Sequence, residues 1–121
     1  MKNTQGEVWV FAEQEEGKVS EVPFELLGKA RELADKLGVK VGAALLGDWS
    51  GEAGAASLAA AETALFEGGA DVVHLVDDPA LKVFRNKAYR HAMVELVKEV
   101  NPQIVIFGAT HMGRDLAPSV A

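Results

Sequence analysis

The sequence predicts an α/β fold: a doubly wound, mainly parallel sheet with helices on both faces. Two observations indicate this class. Strand and helix patterns alternate four times along the chain, and each strand is a continuous apolar run without polar alternation. Such runs are typical of parallel strands that are buried on both faces. The 121 residues suffice for one domain of this kind.

The first half of the chain contains a predicted strand–helix–strand unit. Residues 7–12 are rich in β-branched and aromatic side chains, which predicts a buried strand, and residues 14–20 form the loop after it. Pro23 suits the first turn of a helix, apolar residues then recur at helical spacing, and Gly38 is a typical C-cap. Residues 39–46 predict the second strand.

The second half continues the alternation. Residues 48–54 are predicted as a loop, and an alanine-rich helix follows at residues 55–67. An apolar run at residues 72–76 predicts the third strand, and residues 86–100 predict a helix with one apolar face. Residues 104–109 form the fourth and most apolar strand.

The last residues predict an unfinished sheet. A turn at residues 110–113 leads into a helix at residues 114–121, and no fifth strand follows. A flat, exposed, apolar strand at a sheet edge is a feature that native proteins avoid. We therefore expect a fold truncated after strand 4, in a chain that is the N-terminal part of a longer polypeptide or is completed by a partner.

The composition excludes several functional classes. The 12 Lys+Arg and 18 Asp+Glu give a net charge of −6, which argues against nucleic-acid binding. The absence of cysteine excludes disulfides, thiolate nucleophiles and cysteine-based metal sites. No apolar run approaches the roughly 20 residues of a membrane span, and no signal peptide is recognisable. We expect a cytoplasmic protein without membrane insertion.

The predicted topology places one crevice where a ligand or partner would bind. In open α/β sheets this crevice lies at the carboxyl ends of the strands, where the strand order reverses. With strand 1 in the centre, the neighbouring ends are residues 12–14 and 108–115. Two interpretations stay open. Arg114 is a solvated residue at a helix N-terminus, or Thr110, His111 and Arg114 face a neighbouring subunit or its cofactor.

Neither phosphate-binding motif of α/β proteins is present at this crevice. The spacing of Gly108, Gly113 and Arg114 resembles a P-loop, but Asp115 stands where the motif needs a hydroxyl group. The residues after strand 1 are acidic and lack the glycine fingerprint of dinucleotide binding. Nucleotide binding within this chain alone is therefore not expected.

The remaining candidates favour structural roles. His74 lies in the middle of a strand and is predicted on a sheet face, whereas His91 on a helix is predicted to face solvent. Residues 77–79, Asp-Asp-Pro, are typical of a turn. Trp9 is predicted in the core. Trp49 lies in a glycine-flanked loop and has two interpretations: it is a structural residue of that loop, or it is an exposed aromatic that anchors a partner. No nucleophile or paired acid and base suggests catalysis.

Four segments together carry a resemblance to a known family. Residues 8–14, 24–30, 75–79 and 108–118 resemble the alpha subunit of electron transfer flavoprotein, in the same order. The resemblance covers nearly all of this sequence but only the N-terminal domain of that family. It implies that residues 1–121 are the N-terminal α/β domain of a longer alpha subunit, with an adenine-nucleotide hydrolase-like fold.

The resemblance also implies cofactors and partners. The complete protein would be a heterodimer with a beta subunit, with its main FAD in an alpha C-terminal domain absent from this sequence. FAD or AMP would occupy the beta subunit. Electrons would pass from dehydrogenases, or from NADH, to a quinone oxidoreductase or another acceptor. Residues 11–14 are similar to the electron-bifurcating bacterial branch of the family.

The same resemblance implies roles for residues of the crevice. The residues implied to contact a partner-bound flavin are Thr110, Gly113 and Arg114. The residues implied at the partner interface are Glu13, Gln14, His111 and Asp115. An alternative of another class is a stand-alone nucleotide-binding module of the universal-stress type, which would bind ATP without a flavin-bearing partner.

Overall fold

The computed structural model describes residues 6–120, in which strands and helices alternate after a short β-hairpin. The elements in chain order are β1 Val8–Phe11, β2 Gln14–Glu15, β3 Lys18–Val19, α1 Val22–Leu37, β4 Val41–Gly47, α2 Gly51–Glu67, β5 Val72–Asp77, a 3-10 turn Pro79–Leu81, α3 Asn86–Val100, β6 Ile104–Ile106 and α4 His111–Val120. The predicted α/β alternation is confirmed. No helix in this part of the chain is both long and apolar enough to cross a bilayer.

The main sheet is parallel and has the strand order β5-β4-β1-β6. In the register, Val8 of β1 lies beside Val41 of β4 on one side and Ile104 of β6 on the other. The chain moves outward from β1 through β4 to β5 and then crosses back over the sheet to β6. The strand order therefore reverses between β1 and β6, as the sequence analysis predicted.

Two hydrophobic cores cover the two faces of the sheet. On one face Val8 and Val10 of β1 pack with residues of α1 and α2, including Leu27 and Leu65. On the other face Trp9 and Phe11 pack with residues of α3 and α4, among them Tyr89, Met93 and Leu116. Successive residues of β1 thus enter opposite cores, which explains why the whole strand is apolar.

Two segments that were predicted as loops contain regular structure. Residues 14–20 form the β2–β3 hairpin, whose turn at Glu16 and Gly17 has φ angles of 53° and 85°. Helix α2 begins at Gly51, four residues earlier than predicted. Its first turn lies so close to the Trp49 backbone that a Cβ at position 54 would stand 2.4 Å from the Trp49 carbonyl carbon. Packing therefore favours Gly54 at this point despite the low helix propensity of glycine.

The boundary between β6 and α4 also differs from the prediction. Strand β6 ends at Ile106 and not at residue 109, because only its three residues pair with β1. Helix α4 begins at His111, three residues before the predicted start. The Thr110 hydroxyl accepts the N–H of Gly113 at 3.0 Å and so caps this earlier turn. Ala121, the predicted last residue of this helix, lies outside the described residues.

Trp49 is buried, which excludes the interpretation in which an exposed ring anchors a partner. Its side chain is 4% exposed and belongs to the core on the α1 and α2 face. Its backbone N–H donates to Asp77 Oδ1 at 2.8 Å, which ties the loop after β4 to the end of β5. The ring lies close to Gly47 and Gly17, so the hairpin covers it. A partner therefore has no access to the indole ring.

His74, His91 and the Asp-Asp-Pro turn have the structural roles that were predicted for them. His74 lies on a sheet face with its Nε2 2.7 Å from Glu7 Oε1, and its ring is 4.8 Å from that of Trp9. His91 is exposed on α3. Asp78 accepts the N–H of Ala80 at 2.9 Å and caps the 3-10 turn. Within residues 6–120 no group of three acidic or histidine side chains is arranged to hold a metal ion.

Candidate functional site

The reversal of strand order brings Glu13 and Thr110 together. Glu13 follows β1 and Thr110 follows β6, and the Thr110 hydroxyl donates to Glu13 Oε1 at 2.5 Å. The residues are 97 positions apart in the sequence. The predicted adjacency of the two strand ends is therefore present. We call the space beside these residues the switch crevice.

The Thr110 hydroxyl acts as both a donor and an acceptor within the chain. The hydroxyl donates to Glu13 and accepts the N–H of Gly113, the third residue of α4. A threonine at the N-cap typically stabilises a helix by about 1 kcal/mol. Thr110 thus fixes the direction in which α4 leaves the sheet.

Gly113 lies where α4 passes closest to the end of β6. A Cβ at this position would stand 2.0 Å from the carbonyl oxygen of Gly108, far inside ordinary contact distance. Gly113 is also buried. The missing side chain of Gly113 allows α4 to approach the end of β6. The next residue of the helix, Arg114, lies at the surface.

Arg114 and His111 are free side chains near the start of α4; His111 lines the switch crevice, whereas Arg114 does not. Both are exposed, and neither side chain has a hydrogen bond or an ion pair to any residue between 6 and 120. Asp115 is exposed too, but its Oδ2 accepts a hydrogen bond from Asn86 Nδ2 at 3.2 Å. That bond connects α4 to the start of α3. Arg114 and His111 therefore remain available for an external group.

Gln14 is buried and holds three elements together. Its side chain is 7% exposed, its Nε2 donates to the carbonyl of Leu46 at 3.0 Å, and its Oε1 accepts the N–H of Gly17 at 2.8 Å. Nε2 also lies 3.4 Å from the Tyr89 hydroxyl. The chain uses the amide internally, and a partner contact by Gln14 stays a prediction.

The switch crevice is acidic. Its cavity of about 600 Å³ is lined by Glu13, Glu15, Glu16, Lys82, Val83, Phe84, Thr110, His111 and Met112. Three carboxylates face one lysine, so a phosphate group would be repelled. Of the three glutamates, the resemblance implied a partner contact for Glu13, and no role was predicted for Glu15 and Glu16. Residues 82–84 were not predicted at the crevice, because the 3-10 turn brings them there from a distant part of the chain.

A second cavity adjoins the first at the start of α2. It has a volume of about 420 Å³, and Gln14, Glu16, Asp48, Ser50 and Lys82 contribute its polar lining. Hydrogen bonds from the Ser50 side chain and backbone, with a smaller contribution from Lys82, hold the pKa of Asp48 below its ordinary value. Asp48 is therefore a carboxylate at neutral pH, and with Glu16 it brings two carboxylates close to Lys82 in this cavity.

Comparison with known proteins places the chain in a family. It matches the family described as "Electron transfer flavoprotein domain" over residues 8–121. It is 43% identical over 119 residues to the electron transfer flavoprotein subunit alpha of Thermoanaerobacterium thermosaccharolyticum, covering 98% of this chain and 34% of that protein. It is 48% identical over 114 residues to protein FixB of Azorhizobium caulinodans, covering 94% and 30%. The chain thus spans about a third of the length of these relatives.

The fold is similar to that of universal stress proteins. The structure of the universal stress protein from Archaeoglobus fulgidus superimposes with a TM-score of 0.59 and covers 93% of this chain and 91% of that one. At 19% identity this likeness concerns the fold alone. It agrees with the adenine-nucleotide hydrolase-like fold that the resemblance implied. The family match extends over the whole sheet and all four helices, and the chain belongs to the electron transfer flavoprotein domain family.

Proposed function

We propose that this chain is the N-terminal domain of an electron transfer flavoprotein alpha subunit, which docks a beta subunit and helps to carry electrons through FAD. The observation that carries the proposal is the family match over residues 8–121, together with 43% identity to a named alpha subunit. Because the chain spans about a third of that relative, the main FAD site belongs to the rest of the alpha subunit in this proposal.

The switch crevice supports a docking role more than a cofactor-holding role. Its three carboxylates and single lysine do not suit the diphosphate of FAD or the phosphate of AMP. The residues of this chain therefore do not fit a flavin bound inside the crevice. FAD or AMP in the beta subunit is compatible with this arrangement, because a partner chain would then supply the phosphate-binding groups.

Arg114 is the residue that we expect to reach the partner or its flavin. Its guanidinium carries five N–H donors, is always charged and is unpaired among the described residues. Thr110 and Gly113 position it through the cap of α4 and the close approach to β6. Glu13 and His111, which line the switch crevice, and Asp115, the next residue of α4, complete the proposed interface.

A co-purification experiment tests the proposal. The full-length alpha subunit is produced with its beta subunit, and the heterodimer and its bound flavin are quantified by size-exclusion chromatography and absorbance. We expect Arg114→Ala to weaken the heterodimer or lower its flavin content, while Lys29→Ala on exposed α1 surface leaves both unchanged. An Arg114→Ala protein with normal assembly and normal flavin content would contradict the assigned role.

A second measurement distinguishes this proposal from the alternative of a nucleotide-binding module of the universal-stress type. The universal-stress alternative requires this chain to bind ATP without a partner, and the fold likeness is the observation in its favour. Equilibrium dialysis with labelled ATP decides the matter. Saturable binding by this chain, with no flavin-bearing partner in the purified complex, would favour the nucleotide-binding module.

The electron donors and acceptors belong to the same proposal. We expect a dehydrogenase or NADH as donor, a quinone oxidoreductase or another flavoprotein partner as acceptor, and a cytoplasmic location. The similarity of residues 11–14 to the bifurcating branch supports NADH as donor. Anaerobic mixing of the purified heterodimer with NADH, followed by flavin absorbance, should show flavin reduction. An unchanged spectrum would remove the bifurcating assignment.

A further inference from the structure

The most basic surface of this acidic chain lies around the start of α3. Between Asp78 and Glu95 there is no acidic residue, while Lys82, Arg85, Lys87, Arg90 and His91 fall within this stretch. It contains four of the 12 Lys+Arg, so the remainder of the chain has 8 basic residues against 18 acidic ones, a net charge of −10. We call the surface formed by these five residues and Val83 the basic patch.

The basic side chains of the patch are exposed, and only Lys82 among them has an electrostatic interaction with a carboxylate of residues 6–120, that of Asp48. None of its five basic side chains has an ion pair or a side-chain hydrogen bond to a residue in the described range 6–120. Val83 is 63% exposed, the highest value among the large apolar side chains between residues 6 and 120. The patch surrounds a concavity of about 670 Å³ lined by Pro79, Ala80, Lys82, Val83, Arg85, Lys87, Ala88 and His91. An apolar centre within a charged rim is the usual composition of a protein-binding site.

The backbone that carries the patch is anchored from below. Leu81 and Tyr89 are each 2% exposed, and the Tyr89 hydroxyl donates to the carbonyl of Leu81 at 2.6 Å. The rings of Phe84 and Tyr89 are 5.0 Å apart. Asn86 Nδ2 donates to Ser119 Oγ at 3.1 Å and fixes the start of α3 against α4. The backbone of the patch is therefore preorganised, and binding would have to order only its exposed side chains.

Carboxylates limit the patch on two sides. Lys82 and Val83 share the switch crevice with Glu13, Glu15 and Glu16. On the other side, His91 shares a cavity with Glu95 and Glu99. A nucleic acid or an anionic membrane surface extending beyond the patch would meet these carboxylates. The charge pattern instead complements a compact acidic surface.

We propose that the basic patch is a docking site for a partner protein that presents a small cluster of carboxylates around an exposed apolar side chain. The apolar side chain would contact Val83, and the carboxylates would face Lys82, Arg85 and Lys87. Lys82 and Val83 of the patch also line the switch crevice, whereas Arg85, Lys87 and Arg90 do not, and Arg114 is not part of the patch. The proposal does not require a beta subunit to dock at Arg114, so it can stand if the proposed function fails.

Peptide binding to charge-reversal variants of the full-length protein tests this inference. The probe is a short fluorescein-labelled peptide with glutamates on both sides of one leucine, followed by fluorescence anisotropy. The patch variant combines Lys82→Glu, Arg85→Glu and Lys87→Glu. The control combines Lys18→Glu, Lys29→Glu and Lys36→Glu, which are exposed lysines elsewhere and give the same net charge. Urea midpoints of both variants establish that they fold.

The expected result is specific to the patch. Each of the three reversals removes one attraction between an exposed basic side chain and a carboxylate of the peptide. Together they should weaken peptide binding about tenfold, whereas the control variant should weaken it less than about twofold. Val83→Ser should weaken binding without changing its salt dependence, because it removes only the apolar contact. Equal losses in the patch variant and the control would overturn the inference. Tighter binding of single-stranded DNA or of anionic phosphatidylserine vesicles than of the peptide would overturn it as well.

Discussion

Replacement of Gly113 by alanine is the sharpest test of how the site is built. The new Cβ would stand 2.0 Å from the carbonyl oxygen of Gly108, whereas ordinary contact begins at 3.4 Å. The start of α4 must therefore move by about 1.4 Å or the strand end must yield. Overpacking of this kind costs about 1–3 kcal/mol, and a weakened Thr110 cap adds about 1 kcal/mol. We expect Gly113→Ala to lower the free energy of unfolding by about 2–4 kcal/mol.

Gly28→Ala is the matched control, with the opposite expected sign. Gly28 is exposed in the middle of α1, and a Cβ there meets nothing within 4 Å. Alanine in an exposed helix interior is more stable than glycine by about 0.5–1 kcal/mol. Urea unfolding followed by far-UV circular dichroism measures both variants. A loss below about 0.5 kcal/mol for Gly113→Ala would refute the close-approach argument.

Three further predictions concern buried or ionised groups. Gln14→Leu removes the hydrogen bonds to Leu46 and Gly17 and should lower the free energy of unfolding, measured in urea, by about 1–3 kcal/mol. The control Glu15→Gln changes an exposed neighbour and should lower it by almost nothing. Equal effects of the two variants would contradict the buried role of Gln14. A hydrogen bond from the Val41 N–H, with a smaller contribution from Arg31, lowers the pKa of Asp71. The stability that the lowered pKa of Asp71 provides is present above the unfolded pKa and is lost as pH falls below about 4. Asp71→Asn should therefore flatten the decline in the free energy of unfolding between about pH 4 and 2. An unchanged decline would contradict this prediction. Burial raises the pKa of Tyr89, the single tyrosine of the sequence. The midpoint of its absorbance titration should therefore be higher than that of free tyrosine until alkaline unfolding occurs. A normal midpoint in the folded chain would show that the hydroxyl is solvated.

The local sequence pattern was sufficient to predict elements such as β1 and α3, whose burial follows a regular pattern along the chain. Strand β1 is buried along its whole length, so its apolar run predicts it directly. The bounds of α3 agree with the prediction because its apolar face, its preceding polar loop and the αL residue Asn101 at its end all follow local rules. The adjacency of Glu13 and Thr110 followed from topology, since parallel strands end at the same edge of the sheet.

Features that depend on distant contacts could not be predicted in this way. Trp49 is flanked by polar and glycine residues, and only the folded hairpin covers it. Gln14 follows an apolar strand like any surface residue, yet its partners Leu46 and Tyr89 are 32 and 75 positions away. The sequence also does not distinguish Arg114, which is free, from Thr110, whose hydroxyl is already bonded. Such distinctions depend on packing at the site and not on residue type.

The central position of β1 has a consequence for synthesis of the chain. β1 lies between β4 and β6, and its β6 partner follows β4 by about 60 residues. At a translation rate of roughly 5–20 residues per second, β6 emerges roughly 3–12 s after β4 has paired. During that interval one edge of an entirely apolar strand has no partner, and an unpaired edge of this kind promotes aggregation. The nascent chain is therefore most exposed to misassembly, and most in need of a chaperone, while α2, β5 and α3 are being translated.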